Sequence, residues 1–378
     1  MTILKIKSPF AGAAAPFYSY ADHDEAGLAN VWNSSWGLAH RFSPYMDWST
    51  VPVLDAAFAP PGDVGRVYVS MNQNHVLIWG GNGDDVMVGG DFSDFLSGSG
   101  GSDYILGGAG SDIIDGGSGN DMLFGQEGGD TIEDGGGADK VFGGSGDDLI
   151  YSTGAGTYSG DGPDLFAGGT GNDWVSYGRA TQGAIASLND STMNGGAAAT
   201  DTFNSIENLI GSHYDDWLIG DGSANVLIGE DGNDTLAGNG GDDAVFGGNG
   251  DDYLFGDDGA DFLDGGAGTD LLYAGAGNDT LHGGGEDRLF GEAGNDFFYN
   301  LAGGDLAAGG EGYDIVSLEG TASDWAIEDF GMVLGEDGVS ETRLHEIRQL
   351  LADGSYDGRI TLTGIEQLSF SDGSVLML

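Results

Sequence analysis

From Gly80 the chain reads in nines: GGNGDDVMV (80–88), GGDFSDFLS (89–97), GSGGSDYIL (98–106), GGAGSDIID (107–115), GGSGNDMLF (116–124), GQEGGDTIE (125–133), DGGGADKVF (134–142) and GGSGDDLIY (143–151). Seven residues, STGAGTY (152–158), break the register, which resumes with SGDGPDLFA and GGTGNDWVS to Ser176. A second block holds the same period from Gly211 to Ser317, apart from one eight-residue unit at 283–290. The two blocks hold ten and twelve units, 22 in all. The eighth position is apolar in every unit, from Met87, Leu96 and Ile105 to Phe298, Ala307 and Val316. The sixth is Asp in 21, with Asn225 as the exception.

Each half of the unit has its own physics. GGxGxD is a turn, because its glycines accept positive φ and let two backbones approach. The last three residues make a short strand whose middle side chain points in while its neighbours point out. One unit buries nothing alone. A stack buries a continuous apolar column, so the array is the unit of stability. The fold class expected is all-β: a parallel β-roll or β-helix solenoid in two blocks, joined by a β-helical insertion and closed by small N- and C-terminal caps.

Charge follows the repeat. Of 62 acidic and 10 basic residues, which leave -52, residues 80–317 carry 44 and 3. Such a surface repels nucleic-acid phosphate and anionic membrane. There is no cysteine, which excludes disulfides and thiolate metal sites. No 18-residue apolar run is present to span a bilayer. Glycine at 75 of 378 residues with this charge suggests a disordered chain, but 39% hydrophobic residues supply a core once the charge is neutralised. Stacking brings sixth-position carboxylates about 4.8 Å apart along each edge. A hard cation with six to eight oxygen ligands relieves that repulsion, and glycine turns expose the carbonyls it needs. Oxygen donors without His or Cys exclude zinc and copper.

The motif resembles the RTX, or hemolysin-type calcium-binding, nonapeptide repeat GGxGxDxUx, over roughly 80–317. The resemblance implies a parallel β-roll with two units per coil and calcium held between turns on both edges. The ligand candidates are Asp85, Asp94, Asp103, Asp112, Asp121, Asp130, Asp139, Asp148, Asp164 and Asp173 in the first block. In the second they are Asp216, Asn225, Asp234, Asp243, Asp252, Asp261, Asp270, Asp279, Asp287, Asp296, Asp305 and Asp314. About one calcium per unit away from block ends gives on the order of 15–20 ions, ~18 of them adding ~36 positive charges. Folding and calcium binding are then one event.

The expected organisation is an aromatic-rich cap or interaction domain (1–79), the first block (80–176), an insertion (177–210), the second block (211–317) and a C-terminal cap (318–378). In the insertion, alternation at Ala184, Ala186 and Leu188 and the run Ile206–Ile210 predict strands around a loop near 189–200. Val64–Ser70 and His75–Trp79 read as strands leading into the roll. Leu28, Trp32, Trp36 and Ala39 share one face of a short helix. Near the C-terminus, Leu344, Ile347 and Leu351 predict a helix ended by Gly354.

The C-terminal segment resembles the domain that follows RTX repeats in type I secretion substrates, with Asp372 before the apolar tail Val375-Leu376-Met377-Leu378. That implies export by the type I apparatus through an uncleaved C-terminal signal. Ser8, Pro9 and Pro16 interrupt any signal-peptide core at the N-terminus. There is no GxSxG, no HExxH, and no second histidine in the sequence around His345. Asp22-His23-Asp24-Glu25 with His40 reads as a solvated helix start rather than a metal site. Catalysis is therefore not expected.

The reading is a secreted or cell-surface calcium-binding protein with a structural role in a matrix, surface layer, adhesin or self-assembling filament. Its alternative is a carbohydrate-binding or enzyme-associated module whose working part is 1–79. Self-association through an arm at Thr2–Phe10, or binding of a surface glycan, are the partner interactions left open.

Overall fold

The computed structural model describes residues 56–58, 65–70, 75–153, 162–334, 341–350 and 356–378. The helix at Leu28–Ala39, the arm at Thr2–Phe10 and the cluster at Asp22–Glu25 with His40 lie outside them, as do Leu351 and Gly354. The chain divides into two compact units. One is Met1–Arg179 with Ala199–Ile206, the other Ala180–Ala198 with Glu207–Leu378.

In the first unit two parallel sheets are built from alternate repeats. One carries Leu77–Gly81, Phe95–Ser99, Ile113–Asp115, Thr131–Glu133, Leu149–Tyr151 and Trp174–Ser176. The other carries Val67–Val69, Val86–Gly90, Tyr104–Ala109, Met122–Glu127, Lys140–Ser145 and Leu165–Thr170. Pairing is offset by 18 residues, as in Val86 with Tyr104, so one coil is two nonapeptides. Across the seven-residue slip the offset becomes 25, Lys140 pairing with Leu165 and Leu149 with Trp174. Both sheets keep register on either side of the slip.

The second unit repeats the plan from Trp217–Ile219 and Val226–Asp231 to Leu306–Glu311 and Ile315–Leu318. Between residues 67 and 316 the two units total about 13 solenoid turns of all-β structure. The missing residue of 283–290 shortens one offset in each sheet to 17, with Leu271 beside Arg288 and Thr280 beside Phe297. All 22 eighth-position side chains are at 0% exposure, so the predicted inner column is the core. Where the coils pass closest, the turn has room for nothing but glycine. Gly250 has φ +136°, and a Cβ there would lie 1.7 Å from the Gly232 carbonyl oxygen.

The insertion supplies strands at Ala184–Ser187 and Asn208–Ile210, parallel to Trp217–Ile219 and Val226–Asp231. Its loop stands out over 189–193. There Asp190 caps a one-turn 3-10 helix, Ser191–Met193, by accepting the Thr192 N–H at 3.0 Å. The chain then returns through Gly195–Gly196, antiparallel to Ala184–Ile185, and buries Ala197 and Ala198.

The C-terminal helix expected around Leu344 and Ile347 is not formed. Glu341–Leu350 is the middle strand of an antiparallel meander, paired with Trp325–Leu334 and Tyr356–Thr363. Two periods compete in this stretch. Helical spacing joins Leu344 to Ile347, while strand alternation puts His345 and Ile347 together, and these are the two that are buried. Tyr356–Thr363 extends the roll by pairing parallel to Leu306–Ala308, and so offers an open edge that the segment joins. Glu346 reaches across to Arg359 at 2.9 Å and, within its own strand, to Arg348 at 3.6 Å. A sheet edge needing partners overrides a weak local preference.

Candidate metal centres

The 22 sixth-position side chains are between 0% and 4% exposed. They do not line the outside of the coil as surface charge; each turns inward beneath the turn that carries it. One oxygen is used by the backbone. Asp85 N–H donates to Oδ1 of Asp103, Asp103 to Asp121 and Asp121 to Asp139, each at 2.7 Å and each 18 residues on. The other column runs from Asp94 through Asp112 and Asp130 to Asp148. In the second unit Asp216, Asp234, Asp252 and Asp270 are linked the same way, as are Asn225, Asp243, Asp261 and Asp279. Every coil is thus tied to its neighbour by carboxylate-to-amide bonds, which are stronger than neutral ones.

The second oxygen has no such use. Oδ2 of Asp85, Asp94, Asp103, Asp112, Asp121, Asp130 and Asp148 is buried without a hydrogen-bond partner. So is Oδ2 of Asp234, Asp243, Asp252, Asp261, Asp270, Asp279, Asp296 and Asp314. Most of these fifteen orphans face similar surroundings. A Cβ built on Gly80 would meet Asp85 Oδ2 at 2.3 Å and the Gly98 carbonyl oxygen at 2.7 Å. One on Gly125 would meet Asp130 Oδ2 at 2.1 Å and Gly143 O at 2.6 Å. One on Gly247 would meet Asp252 Oδ2 at 2.3 Å and Gly265 O at 2.6 Å. First-position glycine therefore keeps open a space into which a carboxylate oxygen and a carbonyl oxygen from the next coil both point.

That space is electrostatically unfinished. Burial pushes the carboxyl groups up, to about 8 for Asp112 and Asp121 and about 7 for Asp103, Asp148, Asp234, Asp243, Asp270 and Asp279. Bonds from backbone amides pull the other way, and neighbouring carboxylates add to the rise in all eight. Buried anions of this kind need a proton or a cation. Carboxylate plus carbonyl is a hard, all-oxygen donor set, which fits calcium. Among the described residues no three acidic or imidazole side chains surround a common point. The donors are instead one carboxylate per turn with main-chain oxygens.

Five sixth positions differ or are differently engaged. Asp216 Oδ2 accepts the Ser212 N–H at 2.6 Å, and its Oδ1 the Ala184 N–H. Asp287 Oδ2 accepts from the amides of Gly284 and Gly285, and Asp305 Oδ2 from Ala302. Asn225 keeps an oxygen beside Gly220 but satisfies it with the Asp221 N–H at 2.8 Å, while its amide donates to Glu207 O. Asp164 sits at the slip, where Asp139 N–H meets its Oδ1 at 2.7 Å. These positions fall at a block start, at the slip, at the shortened unit and at the atypical NLAGGD turn.

Sequence reasoning missed three members of the columns. Asp201, from the insertion, takes the place after Asp164 and accepts its N–H at 3.2 Å. Glu366 does so for Asp314 at 2.8 Å. Arg66 opens the first column: its amide donates to Asp85 Oδ1 and its guanidinium to Gly80 O at 3.2 Å. All three lie outside the repeat and carry no spacing signal.

The sequence profile of the RTX calcium-binding nonapeptide repeat (4 copies) matches residues 76–96, 88–123, 124–154, 158–179, 210–245, 246–281, 264–298 and 282–316. No curated protein matches the chain.

Proposed function

The chain belongs to the RTX calcium-binding nonapeptide repeat family, and from that premise we propose that it is a secreted protein whose roll condenses on calcium outside the cell and serves there as a structural element. Its ligands are the sixth-position aspartates with glycine carbonyls of adjoining coils, and its complement is on the order of 15–20 ions. The observation that carries this reading is the row of fifteen buried, unpartnered Oδ2 atoms, most of them beside a main-chain carbonyl of the adjoining coil. A chain that stayed metal-free would bear that desolvation cost at every turn.

Three features support a structural role over a catalytic one. The buried carboxylates are committed to the repeat. No helix among the described residues is long and apolar enough to cross a membrane. The repeat blocks occupy 80–176 and 211–317, leaving 177–210 as a connector, 318–378 as a closing cap that also carries the export signal, and 1–79 as a cap or interaction domain. The exposed apolar strand Val375–Met377, which pairs antiparallel to Gln367–Ser369, suits recognition by a type I export apparatus.

Calcium titration of the purified chain, followed by circular dichroism and light scattering, tests the reading. The expected result is a cooperative gain of β signal at millimolar calcium, followed by ordered assembly. A β spectrum unchanged by a calcium chelator overturns calcium-dependent folding, and a persistent monomer overturns the filament or matrix role. Glycan binding that depends on residues 1–79 would favour a carbohydrate-binding module instead.

A further inference from the structure

Away from the calcium columns, the few basic residues of the roll fall in matching places. Residues 80–317 hold three, Lys140, Arg179 and Arg288. Arg179 pairs with Glu133 and lies over the Tyr151 ring. Lys140 and Arg288 are exposed, and each opens an interior strand of a parallel sheet, Lys140–Ser145 or Arg288–Ala293. Two residues on, and so on the same outer face, Phe142 and Phe290 each end a row of rings. In the first unit Tyr104, Phe124 and Phe142 follow at 5.3 and 4.8 Å between centroids. In the second, Phe255, Tyr273 and Phe290 follow at 5.5 and 4.8 Å, with their planes within 11° of parallel.

The second unit adds two exposed rings to this face. Trp217 and Tyr253 are 44% and 50% exposed, and the register aligns them through Thr235. They stand two coils apart, about 9.6 Å. From Trp217–Ile219 to Leu306–Glu311 no outward seventh or ninth position of this sheet is acidic, whereas the opposite sheet places Asp264 there. The strip is about 24 Å along the roll and about 7 Å across, or roughly 170 Å². A stable protein interface takes about 800 Å² from each partner, so a second copy of the chain does not fit it. A peptide gains its affinity at a strand edge, and here the main chain is already paired on both sides. The acidic surroundings repel nucleic acid. What the strip fits is one narrow, extended, uncharged chain.

We propose that this face of the second unit, from Trp217 to Arg288, binds a neutral linear β-glucan lying along the roll. A pyranose ring has apolar C–H faces, which stack on aromatic rings, and a rim of hydroxyls. Thr235 and Tyr273 supply hydroxyls to that rim, and the Arg288 guanidinium supplies donors. The ring spacing of 4.8–5.5 Å is close to the advance of one sugar along an extended β-linked chain. Each coil therefore meets one sugar, and Trp217 to Tyr253 spans a disaccharide. Charge selects the neutral polymer. A uronate chain would bring a carboxylate to every coil, against one arginine and between turns that carry exposed acids such as Asp242 and Asp251. The first unit has the ring row and a lysine but one exposed ring, Tyr104, and is a weaker version of the same strip. This site owes nothing to residues 1–79 and holds whether or not the chain assembles.

The test is calorimetric titration of the full chain in millimolar calcium with cellohexaose, cellobiose and hexagalacturonate, with circular dichroism on the same samples. Cellohexaose should bind at least about tenfold tighter than cellobiose, because it spans more coils, and hexagalacturonate should bind more weakly than either. Replacing both exposed rings, Trp217→Ala with Tyr253→Ala, should weaken cellohexaose by about tenfold and leave the calcium-induced β signal unchanged. If that variant loses its β signal, Arg288→Ala reads the same strip, and the expected result is again weaker cellohexaose binding. Calcium-induced β structure with no cellohexaose bound overturns this proposal and leaves calcium-dependent folding standing. Equal affinity for the two glucans overturns the match of one sugar to one coil, and tighter hexagalacturonate overturns the neutral ligand. Cellohexaose affinity unchanged in a folded variant places the site elsewhere and overturns the strip.

Discussion

If the buried carboxylates need either a proton or a cation, acid should replace calcium. Consider the chain stripped of metal by a chelator. In the folded roll Asp112 and Asp121 are pushed up to about 8 by burial, against 3.8 for an exposed side chain. Between those values the folded state holds more protons than the unfolded one, so its stability falls as pH rises and is fully present only below the unfolded value. The slope is about 1.4 kcal/mol per group for each pH unit. For these two groups alone, moving from pH 5 to pH 7 removes about 5 kcal/mol, comparable to the whole stability of an ordinary domain. The groups at about 6 and about 7 add to this in the same direction, Asp85, Asp94 and Asp130 among the former. Structurally, a protonated Oδ2 can donate to the glycine carbonyl that faces it, standing in for the ion. Circular dichroism of the chelated chain should therefore show β structure at pH 5 that is lost as pH climbs through 6 to 8. At millimolar calcium the same scan should be flat. Calcium added at pH 6.5 to the weakly buffered chain should release protons. A chelated chain that is unfolded at pH 5, or fully folded at pH 8, refutes the reasoning.

Other perturbations read different parts of the roll. Gly125→Ala puts a methyl 2.1 Å from Asp130 Oδ2 and 2.6 Å from Gly143 O; it should cost about one calcium in an isothermal titration and lower the melting temperature. Leu254 is fully buried in the inner column, so Leu254→Ala should destabilise the calcium-loaded roll by about 2–5 kcal/mol in denaturant unfolding, without changing ion stoichiometry. Asn225→Asp restores the charge missing from its turn; the titration should gain one ion, and an unchanged count would show that the Asp221 amide already fills the place.

The repeat was legible because two of its columns obey independent rules. The eighth position announces an interior and the sixth a shared ligand chemistry, and the structure puts Leu227 and Asp234 where those rules require. The direction in which the carboxylates face was not legible. Spacing says that Asp103 and Asp121 stack, but only the backbone path shows Oδ1 spent on an amide and Oδ2 left over. The meander was misread because Leu344 and Ile347 satisfy a helical period, while the deciding fact, the open edge at Tyr356–Thr363, is a property of the assembled roll. Asp201 and Glu366 escaped for a related reason. Each completes a column from a segment that does not repeat, so nothing in their local sequence sets them apart from a surface acid.

The amide-to-carboxylate links all run one way. In the first unit Asp85 is held by a side chain 18 residues ahead, Asp103 by the next, and so on to Asp164, held by Asp201; in the second, one column ends with Asp314 held by Glu366. Each coil thus depends on its successor for the group that fastens it, and the stack has a grammar that reads from the C-terminal end. A chain presented with that end first adds every new coil to a finished one, whose carboxylate is already in place. Presented the other way, each coil waits, unlatched, for residues still to come. Glu366, not any residue of the repeat, is then the first latch of one of the second unit's two columns.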